Sequence, residues 1–211
     1  MRIFSLSALL LLAACSGPAE KPLSGAWSLD GGASRIAFIT VKAGEIAEAH
    51  SFHELSGAVA ADGSAEVDIA LGSVETKVDI RNERMREHLF EVASYPEATI
   101  KAKLDPAAYG ALKVGESLTQ PLAASLSLHG VDSEIDAEVT VTRIAPNKVL
   151  VEPTAPIILH ADDFNLGAGV EKLRELANLP AITPAVPVVS RASATGSRQA
   201  SSTITDQSMA S

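Results

Sequence analysis

The chain has 211 residues, 46% of them hydrophobic and 20% charged, with a net charge of −9. That length suits one domain with a sizeable core. An acidic balance with no basic run argues against nucleic acid and against electrostatic docking on anionic lipid. Aromatic residues make up only 4%, too few for base-stacking platforms, and a single cysteine excludes an internal disulfide.

The chain opens with Met1-Arg2-Ile3-Phe4, runs apolar to Leu12, and continues Ala13-Ala14-Cys15. One positive charge, a short apolar core and small residues before a cut site describe a secretory signal peptide over residues 1–14. The apolar run is shorter than the ~20 residues a permanent spanning helix needs. Leu12-Ala13-Ala14-Cys15 resembles a bacterial lipobox, which implies that Cys15 is acylated and becomes the mature N-terminus. Several acyl chains hold a protein to a bilayer where one does so only marginally. Ser16 follows, not Asp, which resembles an outer-membrane address facing the periplasm. Residues 15–25, rich in Gly, Pro, Ser and charge, read as a flexible tether.

Short segments with apolar residues at every second position then recur, separated by turn residues. Ile36 and Phe38 share one face of residues 34–41, and Val67, Ile69 and Leu71 alternate with Glu66, Asp68 and Ala70. Asp62-Gly63 between them is a two-residue hairpin signal. Ala98, Ile100, Ala102 and Leu104 alternate with Thr99, Lys101 and Lys103; Leu122, Leu126 and Leu128 alternate with Ala123, Ser125 and Ser127. Ile135, Ala137, Val139 and Val141 alternate with Glu and Thr, and residues 148–152 and 156–160 continue the pattern. Two stretches break it. Around Asn82, Met85 and Leu89 stand four apart within a charged run, a helical turn. In residues 162–179, Val170, Leu173, Leu176 and Ala177 share a helical face, with Asp163 or Asn165 as candidate caps, Gly167 and Gly169 read as a loop before the helix, and Pro180 as the stop. The expected fold is all-β: an antiparallel barrel or sandwich of about eight strands with two short helical insertions. Small inward residues (Ala98, Ala102, Ala124, Ala137) lean towards a barrel with a cavity rather than a filled one.

Five pieces in order resemble the YceI-like polyisoprenoid-binding family. They are Trp27-x-x-Asp30-x-x-x-Ser34-x-Ile36-x-Phe38, Phe52-x-x-Leu55-x-Gly57, Ser73-Val74-x-Thr76 with Arg81-Asn82, His88-Leu89-Phe90 with Tyr95-Pro96, and Leu126-x-Leu128-His129-Gly130-Val131. The resemblance implies a lipocalin-like barrel over residues 26–194. It implies a bound polyisoprenoid or isoprenoid quinone, with no catalytic residue, metal or other cofactor. The expected lining is Ile36, Phe38 and Phe52 from the first strands; Val67, Ile69, Leu71, Ile100 and Leu104 from the middle; Met85, Leu89 and Phe90 from the helical insertion; and Leu126, Leu128, Val139 and Val141 from the later strands. Arg81 and Asn82 are candidate contacts for the lipid's polar head.

Residues 195–211 are mostly Ser, Thr, Gln and Ala, with too few large apolar side chains to offset ordering entropy, and read as a disordered tail. A final strand then either ends near Ala194 or leaves the barrel incompletely closed. His50-x-x-His53 reads as a pair of solvated strand-edge histidines, because three-residue spacing puts the imidazoles on opposite faces of a strand. His160-x-Asp162-Asp163 has acid–base ingredients but neither a second nearby His nor a nucleophile turn, and reads as a strand end before a cap. Three functions follow: an envelope lipoprotein that holds or carries an apolar lipid; a structural or stress-related lipoprotein whose barrel is filled by its own side chains; and, last, an enzyme using His160, Asp162 and Asp163. Partners are an apolar isoprenoid and the membrane reached through Cys15. Nucleic acid is excluded, and a homodimer is allowed because the sequence leaves the oligomeric state open.

Overall fold

The structure, a computed structural model, describes residues 21–197. The signal peptide, Cys15 and the tail from residue 198 onward lie outside the described residues. Twelve strand segments follow in chain order: β1 (Trp27–Leu29), β2 (Arg35–Lys42), β3 (Ile46–Phe52), β4 (Leu55–Val59), β5 (Ser64–Ala70), β6 (Val74–Glu75), β7 (Glu97–Lys103), β8 (Ser117–Leu128), β9 (Val131–Ala145), β10 (Lys148–Pro153), β11 (Ile157–His160) and β12 (Ala185–Gly196). Helix α1 (Asp79–Arg84) runs straight into a π-helical turn, Met85–Leu89. The helices α2 (Pro106–Tyr109) and α3 (Gly167–Leu176) follow.

Four pairs of segments are single strands bent in the middle: β1 with β2, β3 with β4, β5 with β6, and β10 with β11. Counted so, the wall is a closed antiparallel barrel of eight strands, each beside its neighbour in sequence. Closure is made by β12, whose far end pairs with β1 (Trp27↔Gly196, Ser28↔Thr195, Leu29↔Ala194) and with β10 (Lys148↔Thr195). The expected tail therefore begins too early: Thr195 and Gly196 belong to the barrel. Two ladders, one on each side, supply backbone bonds that offset the ordering of a strand poor in large side chains.

Local chemistry explains the bends and turns. Asp30 accepts from the backbone N–H of Ala33 at 3.2 Å, starting the 3-10 turn between β1 and β2. The β4–β5 turn takes four residues, 60–63, where Asp62-Gly63 alone predicts two. Gly63 sits at φ +87°, and a Cβ there would lie 2.2 Å from the Leu104 carbonyl oxygen. His129 and Gly130, at φ 51° and 78°, form the two-residue β8–β9 hairpin turn.

Alternation places one face of each strand inside, and the interior divides into two clusters. The larger, beneath α1, the π turn and α3, holds Ile36, Phe38, Phe52, Ile69, Leu71, Met85, Phe90, Leu126, Leu128 and Phe164. The smaller, at the opposite end, holds Leu23, Leu112, Val141 and Val149. Leu23 corrects the reading of residues 15–25 as tether throughout. It is buried, its N–H donates to Gly110 O at 3.3 Å, and the Lys21 carbonyl accepts from Arg143 at 2.8 Å. Among residues 21–25 the chain is docked on the barrel. The glycines before α3 also differ from expectation, since both lie in its first turn. A Cβ on Gly169 would stand 2.6 Å from the His88 carbonyl oxygen, so the residue is small to let α3 meet the π turn. Neither Asp163 nor Asn165 caps α3: its N-cap is Leu166, without a side-chain bond, and Asn165 takes the left-handed conformation that ends a 3-10 turn over Ala161–Phe164.

Candidate functional site

The expected lining residues fall into three groups. Ile36, Phe38, Phe52, Ile69, Leu71, Met85, Phe90, Leu126 and Leu128 are buried together in the larger cluster, with Leu89 and Ile100 packed against it. Val141 belongs to the smaller cluster, and Val139 is buried. Val67 and Leu104 are half-buried and join neither. Phe38, Phe52 and Phe90 form a file of tilted rings, with centroids 5.4 Å and 5.7 Å apart, that fills the interior beneath the helices.

The polar residues of the signature fasten that end shut. Ser73 Oγ donates to Ala70 O at 2.6 Å and accepts from the backbone N–H groups of His53 and Glu54, both at 3.1 Å, which pins the bend between β3 and β4. Asn82 is buried and its Oδ1 accepts from the N–H and the hydroxyl of Thr76, at 2.8 and 2.6 Å. Arg81 donates to Glu48 Oε2 at 2.8 Å and to Thr76 O at 2.7 Å. Arg86 reaches Gly72 O at 3.2 Å, and Arg84 reaches Leu176 O at 3.1 Å. The two candidate head-group residues, Arg81 and Asn82, thus place these polar atoms on protein partners. Tyr95 stacks on His129 at 4.3 Å. At the opposite end Arg143, only 1% exposed, donates to the carbonyls of Leu112 (2.6 Å), Lys21 (2.8 Å) and Pro146 (2.6 Å) and joins three chain segments.

The wall opens between β9 and β11. β9 pairs with β10 only as far as Val139↔Pro153, and β11 pairs with β12 alone. Between residues 133–138 of β9 and the β10–β11 bend lies a cleft of about 410 Å³, lined by apolar Ile135, Ala137, Ile157, Leu159 and Phe164 and by polar Ser133, Glu134, Asp136, Glu138, Thr154 and Asp163. That size is within the roughly 300–1,000 Å³ of small-molecule sites. Ile135 and Leu159, and Val186 and Val188 on the neighbouring β12, pack against the large cluster yet stay partly accessible. None of the fifteen expected lining residues borders the cleft. Its signal in the sequence was Pro153-x-x-Pro156, two residues without an N–H three apart, which interrupt a strand's ladder.

The histidines separate as the three-residue spacing requires, but one of them is not solvated. His53 is exposed, whereas His50 is 4% exposed, on the inward face of β3. Its ring packs on Phe38 with centroids 5.2 Å apart, and its Nε2 is 2.9 Å from Thr40 Oγ1. Burial, with Arg81 nearby, holds its pKa below the ordinary histidine value, so the ring is neutral at neutral pH. His160 and Asp162 are exposed, and Asp163 lies at the cleft rim. Among the described residues no group of three His, Cys, Asp or Glu side chains is arranged to hold a metal ion.

The YceI-like domain matches residues 27–194, the whole barrel but for its last strand's end. The chain belongs to the YceI-like family. A polyisoprenoid-binding domain from Saccharophagus degradans, implicated in plant cell wall breakdown, is 39% identical, with a TM-score of 0.80 over 81% of this chain and 98% of that one. BcnA of Burkholderia cenocepacia shares the fold at 19% identity (TM-score 0.62, covering 79% and 99%). The YceI protein of Campylobacter jejuni does so at 15% (TM-score 0.53, covering 71% and 85%). No curated protein matches the chain.

Proposed function

We propose that this YceI-like protein binds the hydrocarbon chain of an isoprenoid lipid at the bacterial cell envelope, held to the membrane by acylation of Cys15. The observation that carries the reading is the cleft between β9 and β11, through which partly accessible residues of the apolar interior are reached, on a barrel 39% identical to a polyisoprenoid-binding domain. A chain entering there passes Glu134, Asp136, Glu138 and Asp163 and meets Ile135, Ala137, Leu159 and Phe164. Each methylene withdrawn from water contributes about 0.8 kcal/mol, so affinity grows with chain length. On this reading the protein holds or carries the lipid and takes no reaction step. A filled barrel without ligand is the second reading, favoured by the dense file of Phe38, Phe52 and Phe90.

Organic extraction of the purified protein followed by mass spectrometry tests the choice. An isoprenoid lipid in near-stoichiometric amount supports binding; repeated preparations with none, and no uptake of added isoprenoid, support the filled barrel. Anchoring is tested separately by Cys15→Ala, which is expected to leave the membrane fraction. A variant retained there after a high-salt wash rules the acyl anchor out.

A further inference from the structure

We infer that His50 is the polar end of the binding site, where its Nδ1 makes a hydrogen bond to an uncharged oxygen at the terminus of an apolar chain. The inference rests on the chain-binding reading above and adds what it leaves open, the way the site recognises the chain's end.

Register supplies the alignment. Ile157, which lines the cleft, pairs with Val188 of β12; Val188 pairs with Phe38 of β2; Phe38 pairs with His50 of β3. Directly paired residues share a face of the wall. These four therefore make one inward row from the opening to His50, roughly 14 Å or three strand spacings long. The row is apolar until its last member. Beyond it the same face of β2 and β3 becomes polar, with Thr40 opposite Glu48, and Glu48 is taken by Lys42 at 2.7 Å and Arg81 at 2.8 Å.

His50 has the free capacity the role requires. Its Nε2 is occupied by Thr40 Oγ1, while Nδ1, buried within the protein, has no hydrogen-bond partner among the described residues. A buried ring nitrogen without a partner is costly, and such groups mark places where a ligand or water completes the bonding. Because Thr40's hydroxyl can donate or accept, the neutral ring presents Nδ1 either as N–H to a carbonyl or as a lone pair to a hydroxyl. A quinone and a prenyl alcohol both carry such an oxygen. A charged diphosphate would instead face a site whose cations are already paired with Glu48.

The test is equilibrium dialysis of the full chain against three probes with the same two-isoprene tail: a benzoquinone, an alcohol and an oxygen-free hydrocarbon. The parent is expected to hold one or both oxygenated probes about threefold to tenfold more tightly than the hydrocarbon. His50→Phe, which keeps a ring against Phe38, is expected to abolish that preference, so that the oxygenated probes bind no more tightly than the hydrocarbon. Preference for the quinone alone identifies a carbonyl acceptor, and preference for the alcohol alone a hydroxyl. Should the variant fold poorly, ¹⁵N-histidine spectra of the parent give the same answer: the His50 Nδ1 resonance moves with an oxygenated probe and not with the hydrocarbon. If the hydrocarbon binds and oxygen adds nothing, if preference survives in His50→Phe, or if the resonance stays put, the assignment of His50 is wrong and chain binding stands. If no probe binds, chain binding itself fails, and His50 with it.

Discussion

On one side of the barrel β5, β7, β8 and β9 are joined by unbroken ladders, and β8 and β9 pair from Ser117↔Thr142 through to Leu128↔Val131. On the other side β9 keeps β10 as partner only to Pro153, and β11 turns away to pair with β12 alone. Both sides carry the same alternation of apolar and polar residues, so burial pattern alone does not distinguish them. What differs is backbone bonding. Pro153 and Pro156 offer no N–H to a ladder, and the strand bends between them. A closed barrel can thus keep a tight wall and an opening together, with the opening where hydrogen bonds lapse rather than where side chains change character.

The largest expected effect comes from the paired end of β9. Arg143→Ala removes three bonds to the carbonyls of Leu112, Lys21 and Pro146 and leaves a cavity in a site that is 1% exposed. The loss is expected to be about 3–5 kcal/mol in urea unfolding. A loss below about 1 kcal/mol would show that the N-terminal segment and the 110–115 loop hold themselves in place without the guanidinium. Next comes Gly169→Ala, whose added Cβ meets the backbone of His88 and Leu89 at 2.6 and 2.9 Å. Lifting α3 from the π turn is expected to cost about 1–3 kcal/mol, read as a lower melting temperature.

A matched pair then sets the two walls against each other. Ala124, in the laddered wall, is buried and pairs with Ala102 and Ile135; Ala137, one strand on, borders the cleft. Ala124→Leu is expected to strain the packing by about 1–3 kcal/mol. Ala137→Leu is expected to cost under about 1 kcal/mol, because the added methyls project into open space, and to reduce uptake of an isoprenoid probe. Equal losses of stability at both positions would mean that the cleft is as tightly packed as the wall opposite.

The same contrast explains what the amino-acid sequence revealed. Period-two alternation at Ile69, Ile100 and Leu126 fixes their inward direction without knowledge of any partner strand, and the helical spacing of Met85 and Leu89 needs no partner either. The cleft depends on which strands fail to pair, a non-local property that Pro153 and Pro156 signal only once the topology is known. His50 looked solvated because a histidine between Ala49 and Ser51 gives no apolar pattern, and its burial comes from Phe38 on the next strand. Leu23, a lone leucine in a stretch of Gly, Pro and Ser, gave no period at all, yet it docks through Leu112 and Val149. The end of β12 is built from Ser193, Ala194 and Thr195, whose place is fixed by ladders on both sides rather than by side-chain size.

The smallest effect concerns a turn on the laddered side. Asp62, between β4 and β5, accepts from the Ser64 N–H and from the Ser64 hydroxyl, both at 3.0 Å, and from Lys103 Nζ of β7 at 2.9 Å. The Ser64 N–H, Lys103 and the Ser64 hydroxyl, in that order, hold its pKa down to about 2 against an ordinary 3.8. A carboxyl depressed in the folded state binds its proton more readily when unfolded. Its contribution is therefore complete above about pH 4 and is lost as the pH falls through about 2. Because the carboxylate is exposed, solvent screening keeps the contribution small. Asp62→Asn keeps an oxygen for the Ser64 N–H but gives up the charge that Lys103 pairs with. The expected result is a slightly lower urea midpoint than the parent at pH 5, the two curves converging as the pH approaches 2. A difference that persists undiminished at pH 2 would mean that the substitution acts through the shape of the turn and not through its charge.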